Sequence, residues 1–281
     1  MEIDLIRMNN SKKDKLTRIR ILLGMLFSLL ILSPSCATNI NTTQICRLIR
    51  HQIDVIEDGD GMEIADINGN GKIDIIIAES MSGEISWYEQ GDSPELWIKH
   101  VILSGFSKIE GVDVLEINGM QYIIILDQTK NQITIAGARE GKITEQWEKK
   151  VIDDDAPYVQ CSLEADVDED GDLDLFYTYE GDDQQEGGGL YWLENLGGNP
   201  MNEGNWRKHV VSLRPGAWWI AQHQIDINGD GKPSELVFTS RDKDMCGIFW
   251  VEPAEKVTEL WTSHTIEDGE DYRPLHVTVG N

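Results

Sequence analysis

Asp166-Val-Asp168-Glu-Asp170-Gly171-Asp172-Leu-Asp174, running directly into Leu175-Phe-Tyr-Thr178, is the stretch on which the reading of this chain turns. Side-chain oxygens stand at positions 1, 3, 5 and 9, and a glycine stands at position 6, where the backbone must turn sharply. That spacing suits a hard cation that takes six to eight oxygen ligands, and calcium is its natural occupant. An EF-hand of the same start would carry a bidentate Glu at position 12 between two helices. Here position 12 is Tyr177, and the residues that follow are β-branched or aromatic, so the loop opens a strand.

Two further copies read Asp66-Ile-Asn68-Gly-Asn70-Gly71-Lys72-Ile-Asp74 and Asp226-Ile-Asn228-Gly-Asp230-Gly231-Lys232-Pro-Ser234-Glu235. The expected metal sets are therefore Asp66, Asn68, Asn70, Lys72 and Asp74; Asp166, Asp168, Asp170, Asp172 and Asp174; and Asp226, Asn228, Asp230, Lys232, Ser234 and Glu235. Lys72, Asp172 and Lys232 hold position 7, which in such loops contributes a backbone carbonyl. The third loop has Ser234 where Asp is expected at position 9: either Glu235 bulges in as a substitute, or the site binds more weakly. A fourth hairpin, Glu116-Ile-Asn118-Gly-Met-Gln-Tyr-Ile123, lacks the oxygens of positions 5 and 9 and predicts a plain tight turn.

Two other patterns keep register with the loops. Trp97-Ile-Lys-His100, Trp206-Arg-Lys-His209 and Trp261-Thr-Ser-His264 recur, with weaker copies at Trp147-Glu-Lys-Lys150 and Leu48-Ile-Arg-His51-Gln-Ile53. Glu84-Ile-Ser-Trp87-Tyr-Glu89, Gly189-Leu-Tyr-Trp192-Leu-Glu194 and Gly247-Ile-Phe-Trp250-Val-Glu252 form the other set. A period of roughly 50 to 60 residues with four short strands per unit is that of propeller blades. The Trp and His residues recur with the strands, which makes them structural.

The Asp-x-Asp/Asn-x-Asp/Asn-Gly-x-x-Asp hairpin inside a four-stranded repeat resembles the FG-GAP and VCBS repeats of integrin-type propellers, over residues 48–281. The resemblance implies an all-β, calcium-stabilised propeller in an extracytoplasmic setting. It does not imply one activity, because such repeats serve adhesion, sugar binding and, in larger proteins, polysaccharide lyase or sugar dehydratase chemistry. Four complete blades and part of a fifth are expected, with His276-Val-Thr-Val279 as the next inner strand. Seven blades are common in the family, so the chain reads as a truncated ring, unless Leu48–Ile53 closes a five-bladed one with the tail.

The chain has 281 residues, with 50 acidic against 24 basic side chains and a net charge of −26. That balance excludes nucleic acid, whose phosphates need a basic face, and opposes docking on an anionic membrane. Acids outside the loop register are read as solvated surface. Lys12, Lys13, Lys15, Arg18 and Arg20 precede the apolar run Ile21–Leu32 and the small residues up to Ala37, the pattern of a secretory signal over 1–37. Leu32-Ser-Pro-Ser-Cys36 is a faint lipobox, the one route here to a membrane anchor; 38–47 reads as a linker. Cys46, Cys161 and Cys246 have no zinc spacing; Cys161 reads as a buried strand residue, and a Cys46–Cys246 disulfide is open.

Strand alternation puts the metal loops at one end of each blade. The loops leading into the first strand and those joining the second and third strands fall at the other, where function usually resides. Tyr158, Trp218 and Tyr272, taken as comparable positions, together with Asp154, Arg214, His223 and Arg241, make the candidate sugar-facing surface: aromatic rings cover a sugar's apolar face while charged groups bond its hydroxyls. The competing reading makes Trp218 an inter-blade packing residue. No nucleophile elbow, His-Glu-x-x-His or phosphate loop is present. The expected function is an exported binding or adhesion module for a carbohydrate or an extracellular protein, with the propeller part of a polysaccharide lyase or sugar dehydratase as the alternative.

Overall fold

The computed structural model describes residues 50–181, 188–242, 246–269 and 274–279. The proposed signal, the linker, Cys36, Cys46 and Tyr272 lie outside the described residues.

Sixteen strands form four four-stranded antiparallel sheets, each a simple meander. Blade 1 contains β1 (Gly59–Ala65), β2 (Asp74–Glu79), β3 (Glu84–Gln90) and β4 (Trp97–Leu103). Blade 2 contains β5 (Ile109–Ile117), β6 (Met120–Asp127), β7 (Gln132–Gly137) and β8 (Glu148–Asp153). Blade 3 contains β9 (Val159–Ala165), β10 (Asp174–Tyr179), β11 (Gly189–Asn195) and β12 (Trp206–Ser212), and blade 4 contains β13 (Ala217–Ile220), β14 (Leu236–Ser240), β15 (Gly247–Glu252) and β16 (Thr262–Asp268). The first strands β1, β5, β9 and β13 pack side by side in chain order. The fold is all-β and propeller-like.

Second strands such as Leu175-Phe-Tyr177 are apolar on both faces because a blade with neighbours is covered on both sides; Ile75-Ile-Ile77 has the same pattern although only one face of blade 1 meets a described blade. The two Trp patterns divide the inter-blade contacts between them. Trp87 of blade 1 and Trp192 of blade 3 are almost wholly buried and pack toward the following blade, where Trp147 and Trp261 respectively pack back. Their backbones repeat the arrangement: Trp147 N donates to Ile102 O at 2.9 Å and Trp261 N to Val211 O at 3.1 Å. Trp206 plays the same part between blades 2 and 3, where the stacked Tyr177, Tyr179 and Tyr191 complete the core. Trp97 has no described preceding blade to pack on and is half-exposed.

The hairpin at Asn118-Gly119 is the expected tight turn: both residues have positive φ, 54° and 74°, and Ile117 pairs with Met120 across it. Two strand expectations are corrected. Residues 50–58 contain no strand; instead Asp54 accepts a hydrogen bond from the Tyr88 hydroxyl at 2.8 Å, and Ile56 lies near Ile77 on the free face of blade 1. Residues 274–279 also contain no strand; Val277 and Val279 cover Val237 and Ile248 of blade 4, and His276 meets Trp219 edge-on. In both cases the segment has no described partner strand with which to form a ladder.

Candidate metal loops and ligand face

The three loops are built alike. In the first, Asp66 Oδ1 and Oδ2 accept hydrogen bonds from Asn70 N (2.9 Å) and Gly71 N (2.7 Å), and Asn70 Oδ1 accepts from Lys72 N at 2.8 Å. The third repeats these bonds from Asp226 to Asp230 N and Gly231 N and from Asp230 to Lys232 N. Position 6 needs its glycine: Gly71, Gly171 and Gly231 have φ of 83°, 94° and 90°.

The last acid of each loop ties the hairpin shut from within. Asp74 is fully buried; its oxygens accept from Ile67 N (3.2 Å) and Gln90 N (2.9 Å). Asp174 does the same with Val167 N (3.0 Å) and Asn195 N (2.7 Å). In the third loop the residue in that place is Glu235, fully buried, whose Oε2 accepts from Ile227 N at 2.9 Å. Strand register agrees, since Ala65 pairs with Asp74, Ala165 with Asp174 and Ile225 with Glu235. The loop is one residue longer, and Glu235 is the substitute for the missing Asp; Ser234 donates its hydroxyl to Glu235 Oε1 at 3.0 Å. Burial raises the Asp74 carboxyl and pushes Asp174 up to about 7, partly offset by their backbone donors.

What separates the loops is position 3. Asn68 and Asn228 donate their amide N–H groups to Glu89 and Glu252, each at 3.0 Å. Asp168 has no such donor, and its carboxyl is raised by burial and by the charges of Asp170, Glu194 and Asp166. One carboxylate oxygen from each of Asp166, Asp168 and Asp170 lies within 4.8 Å of the others, the one such acidic group found among the described residues. This donor set fits calcium by its chemistry: hard oxygens, surplus negative charge and a turn that points them inward.

Glu89 and Glu252 link the first and third loops to the histidines of the outer strands, and Glu194 meets the corresponding histidine without a bond to its loop among the described residues. Glu89 Oε2 lies 3.0 Å from His100 Nε2, Glu194 Oε2 is 2.6 Å from His209 Nε2, and Glu252 Oε2 is 3.4 Å from His264 Nε2. Each imidazole also covers the Trp two residues before its glutamate, with ring centroids 4.6, 4.5 and 4.0 Å apart. The recurrence of Trp, Glu and His in register is the sequence signal for this chain of contacts, and the part of the glutamates shows only in the fold.

The opposite end of the blades is fixed by a bond repeated four times. Ser80 N donates to Asp58 O, Gln128 N to Lys108 O, Glu180 N to Tyr158 O and Arg241 N to Gly216 O, at 2.8 to 3.2 Å. The lead-in loops and the loops after the second strands therefore do share one end. These bonds also correct an equivalence: Tyr158 corresponds to Gly216, and Trp218 lies two residues further along, in place of Gln160. Tyr158 is exposed at the loop and has φ of 56°.

Trp218 is half-buried in β13, and the Arg241 guanidinium carbon sits 3.9 Å from its ring centroid. Arg214 lies 3.6 Å over Phe249. Ser240 Oγ donates to Pro215 O at 2.7 Å, holding the two arginine-bearing loops together. His223 is exposed between β13 and the third metal loop, toward the other end of the strand, so the structure does not bring it to the Arg241–Trp218 pair. Asp154 is exposed in the lead-in loop of blade 3. Cys161 and Cys246 are buried free thiols.

Not every acid outside the loop register is solvated surface: Asp113, Asp127 and Asp242 are buried. Asp113 of β5 is only 8% exposed; its Oδ2 is 3.3 Å from Ser162 Oγ, and its carboxyl is raised well above the usual range by burial and by Glu164 and Glu63 on the neighbouring inner strands. Placing three acids of three blades side by side depends on how inner strands pack, which no local pattern carries.

No protein-family model matches the chain, and no curated protein matches it. Among solved structures, a 6-phosphogluconolactonase-like protein from Bacteroides uniformis is similar at 15% identity and a TM-score of 0.45, over 79% of this chain and 61% of that one. The chain thus spans about three-fifths of the length of that protein.

Proposed function

We propose that this chain is an exported, calcium-stabilised propeller-like binding module whose ligand is a carbohydrate. Its two ends divide the work. The metal loops cross-link the hairpins at one end, with Asp166, Asp168 and Asp170 as the strongest calcium set; the lead-in end is left free to recognise a ligand. The observation that carries the reading is the Arg241–Trp218 stack beside Arg214 at that lead-in end. An amphipathic aromatic next to unspent hydrogen-bond donors matches a sugar, which offers apolar C–H faces and a rim of oxygens.

A glycan array probed with the calcium-loaded full chain tests this. Binding to a defined set of glycans, abolished by Trp218→Ala in a protein that remains folded, supports the reading. Absence of binding to any glycan, together with capture of an extracellular protein through the same face, overturns it in favour of protein adhesion.

A further inference from the structure

Arg214 and Arg241 are partly buried, and the Nε of each is shut off from solvent without a hydrogen-bond partner among the described residues. Neither joins an ion pair there; Arg139 and Arg207, by contrast, pair with Glu148 and Glu194 at 2.9 and 3.2 Å. A chain with 50 acidic side chains has carboxylates to spare, yet two guanidinium groups on adjoining loops have no ion-pair partner among the described residues. An unpaired, partly desolvated cation is costly. Burial acts against the charge of Arg214, and Asp268 relieves this only at longer range.

The stacking selects what can pair with them. Each guanidinium lies at van der Waals distance over an aromatic ring, 3.6 Å for Arg214 on Phe249 and 3.9 Å for Arg241 on Trp218. One π-face is thereby used, and with Nε shut off from solvent it is the edge carrying the two terminal Nη groups that remains for a planar acceptor with two oxygens. The face of Trp218 under Arg241 is also no longer free for a neutral sugar ring. We infer that the loop pair 213–216 and 240–242 is a subsite for the carboxylate of an acidic sugar, so that the ligand is a uronate-bearing glycan. This rests on the carbohydrate reading above and narrows it.

Calorimetric titration of the calcium-loaded full chain with a galacturonate trimer tests the inference. Three other probes accompany it: the same trimer with its carboxyls reduced to alcohols, a sulfated neutral trisaccharide, and a short glutamate peptide. The uronate trimer is expected to bind at least tenfold more tightly than its reduced form, with an affinity that falls as salt rises. Arg214→Gln and Arg241→Gln should each weaken it about ten- to hundredfold, the worth of a charged hydrogen bond, and weaken binding of the reduced trimer by much less, since the hydroxyls that remain make only neutral hydrogen bonds. Arg241→Lys, which keeps the charge without the fork, should recover only part of the loss. Melting curves on each variant report folding, and the contrast between the two trimers on the unaltered chain needs no variant at all. Equal binding of both trimers overturns the acidic subsite and leaves the carbohydrate reading standing. Preference for the sulfated probe overturns the carboxylate assignment. Binding of the glutamate peptide with no binding of any sugar overturns the carbohydrate reading itself.

Discussion

Glu235 Oε2 accepts a hydrogen bond from the backbone N–H of Ile227 at 2.9 Å, the bond that Asp74 makes to Ile67 and Asp174 to Val167 in the other two loops. The extra residue in the third loop displaces the acid by one position, and the additional methylene of Glu restores the reach. Asn228 adds a third bond, donating its amide to Glu235 Oε1 at 3.1 Å. Hairpin closure and cation binding are thus separable tasks. The last acid closes the hairpin, whereas positions 1, 3 and 5 set how much negative charge a bound cation would meet.

Glu235→Ala should therefore destabilise the protein whether or not calcium is present. The change strands the partly buried Ile227 N–H and Ser234 hydroxyl; a fully buried donor left unpaired costs about 1 to 3 kcal/mol, so the expected loss lies at the low end of that range. Glu235→Gln, which keeps an acceptor, should lose less. Denaturant unfolding with and without chelator measures both; an alanine variant as stable as the parent would remove the closing role assigned here.

Asp168→Asn should convert the second loop to the type of the other two. The new amide can donate to Glu194, as Asn68 does to Glu89, and one repelling carboxylate disappears. The variant is expected to melt higher than the parent in chelator but to gain less from calcium, because affinity in such loops follows ligand charge. For the parent, each site filled at a hundredfold excess over Kd adds about 2.7 kcal/mol. The expected filling order is the 166 loop, then the 66 loop, then the 226 loop. A calcium titration whose tightest site survives Asp168→Ala would reverse that order.

Asp113 should make stability depend on pH. Its folded value is raised by burial and by the charges of Glu164 and Glu63, so the fold favours the protonated form. The stabilisation from that proton is complete below the ordinary carboxylate value and is lost as pH rises through the folded one. Asp113→Asn, which keeps the shape without the charge, should raise the melting temperature by several degrees at pH 8 and by progressively less toward pH 4. A variant with the same advantage at both ends of that range would show that ionisation of Asp113 is not the cause.

The blades were legible because their signals are local. Alternating strand residues, a glycine that must turn and a Trp every blade all lie within one hairpin or one period, and the tight turn at Asn118-Gly119 could be read the same way. The third loop was half legible: Ser234 and Glu235 left two outcomes, and the pairing of Ile225 with Glu235 decides between them. Leu48–Ile53 and His276–Val279 carry strand-like residues, but a strand also needs a neighbour, and none is described beside them. The arginine stacks and the burial of Asp113 join different strands and loops, so their partners are set by how sheets pack and not by any spacing in the chain.

Trp218→Ala distinguishes a ligand-binding role from a packing one. Truncation of a fully buried large aromatic costs about 3 to 5 kcal/mol, but Trp218 keeps part of its ring in solvent and its identified ring partner is a guanidinium. A cation–π contact of this kind is worth about 1 to 2 kcal/mol, so the expected loss of stability is near that figure. The calcium-dependent rise in melting temperature should persist, because the metal loops occupy the other end of the blades. Glycan binding should fall with it, through loss of the ring and of the surface that holds Arg241 flat. A loss of 3 kcal/mol or more, with normal binding by the molecules that remain folded, would place Trp218 in the core and remove it from the proposed ligand face.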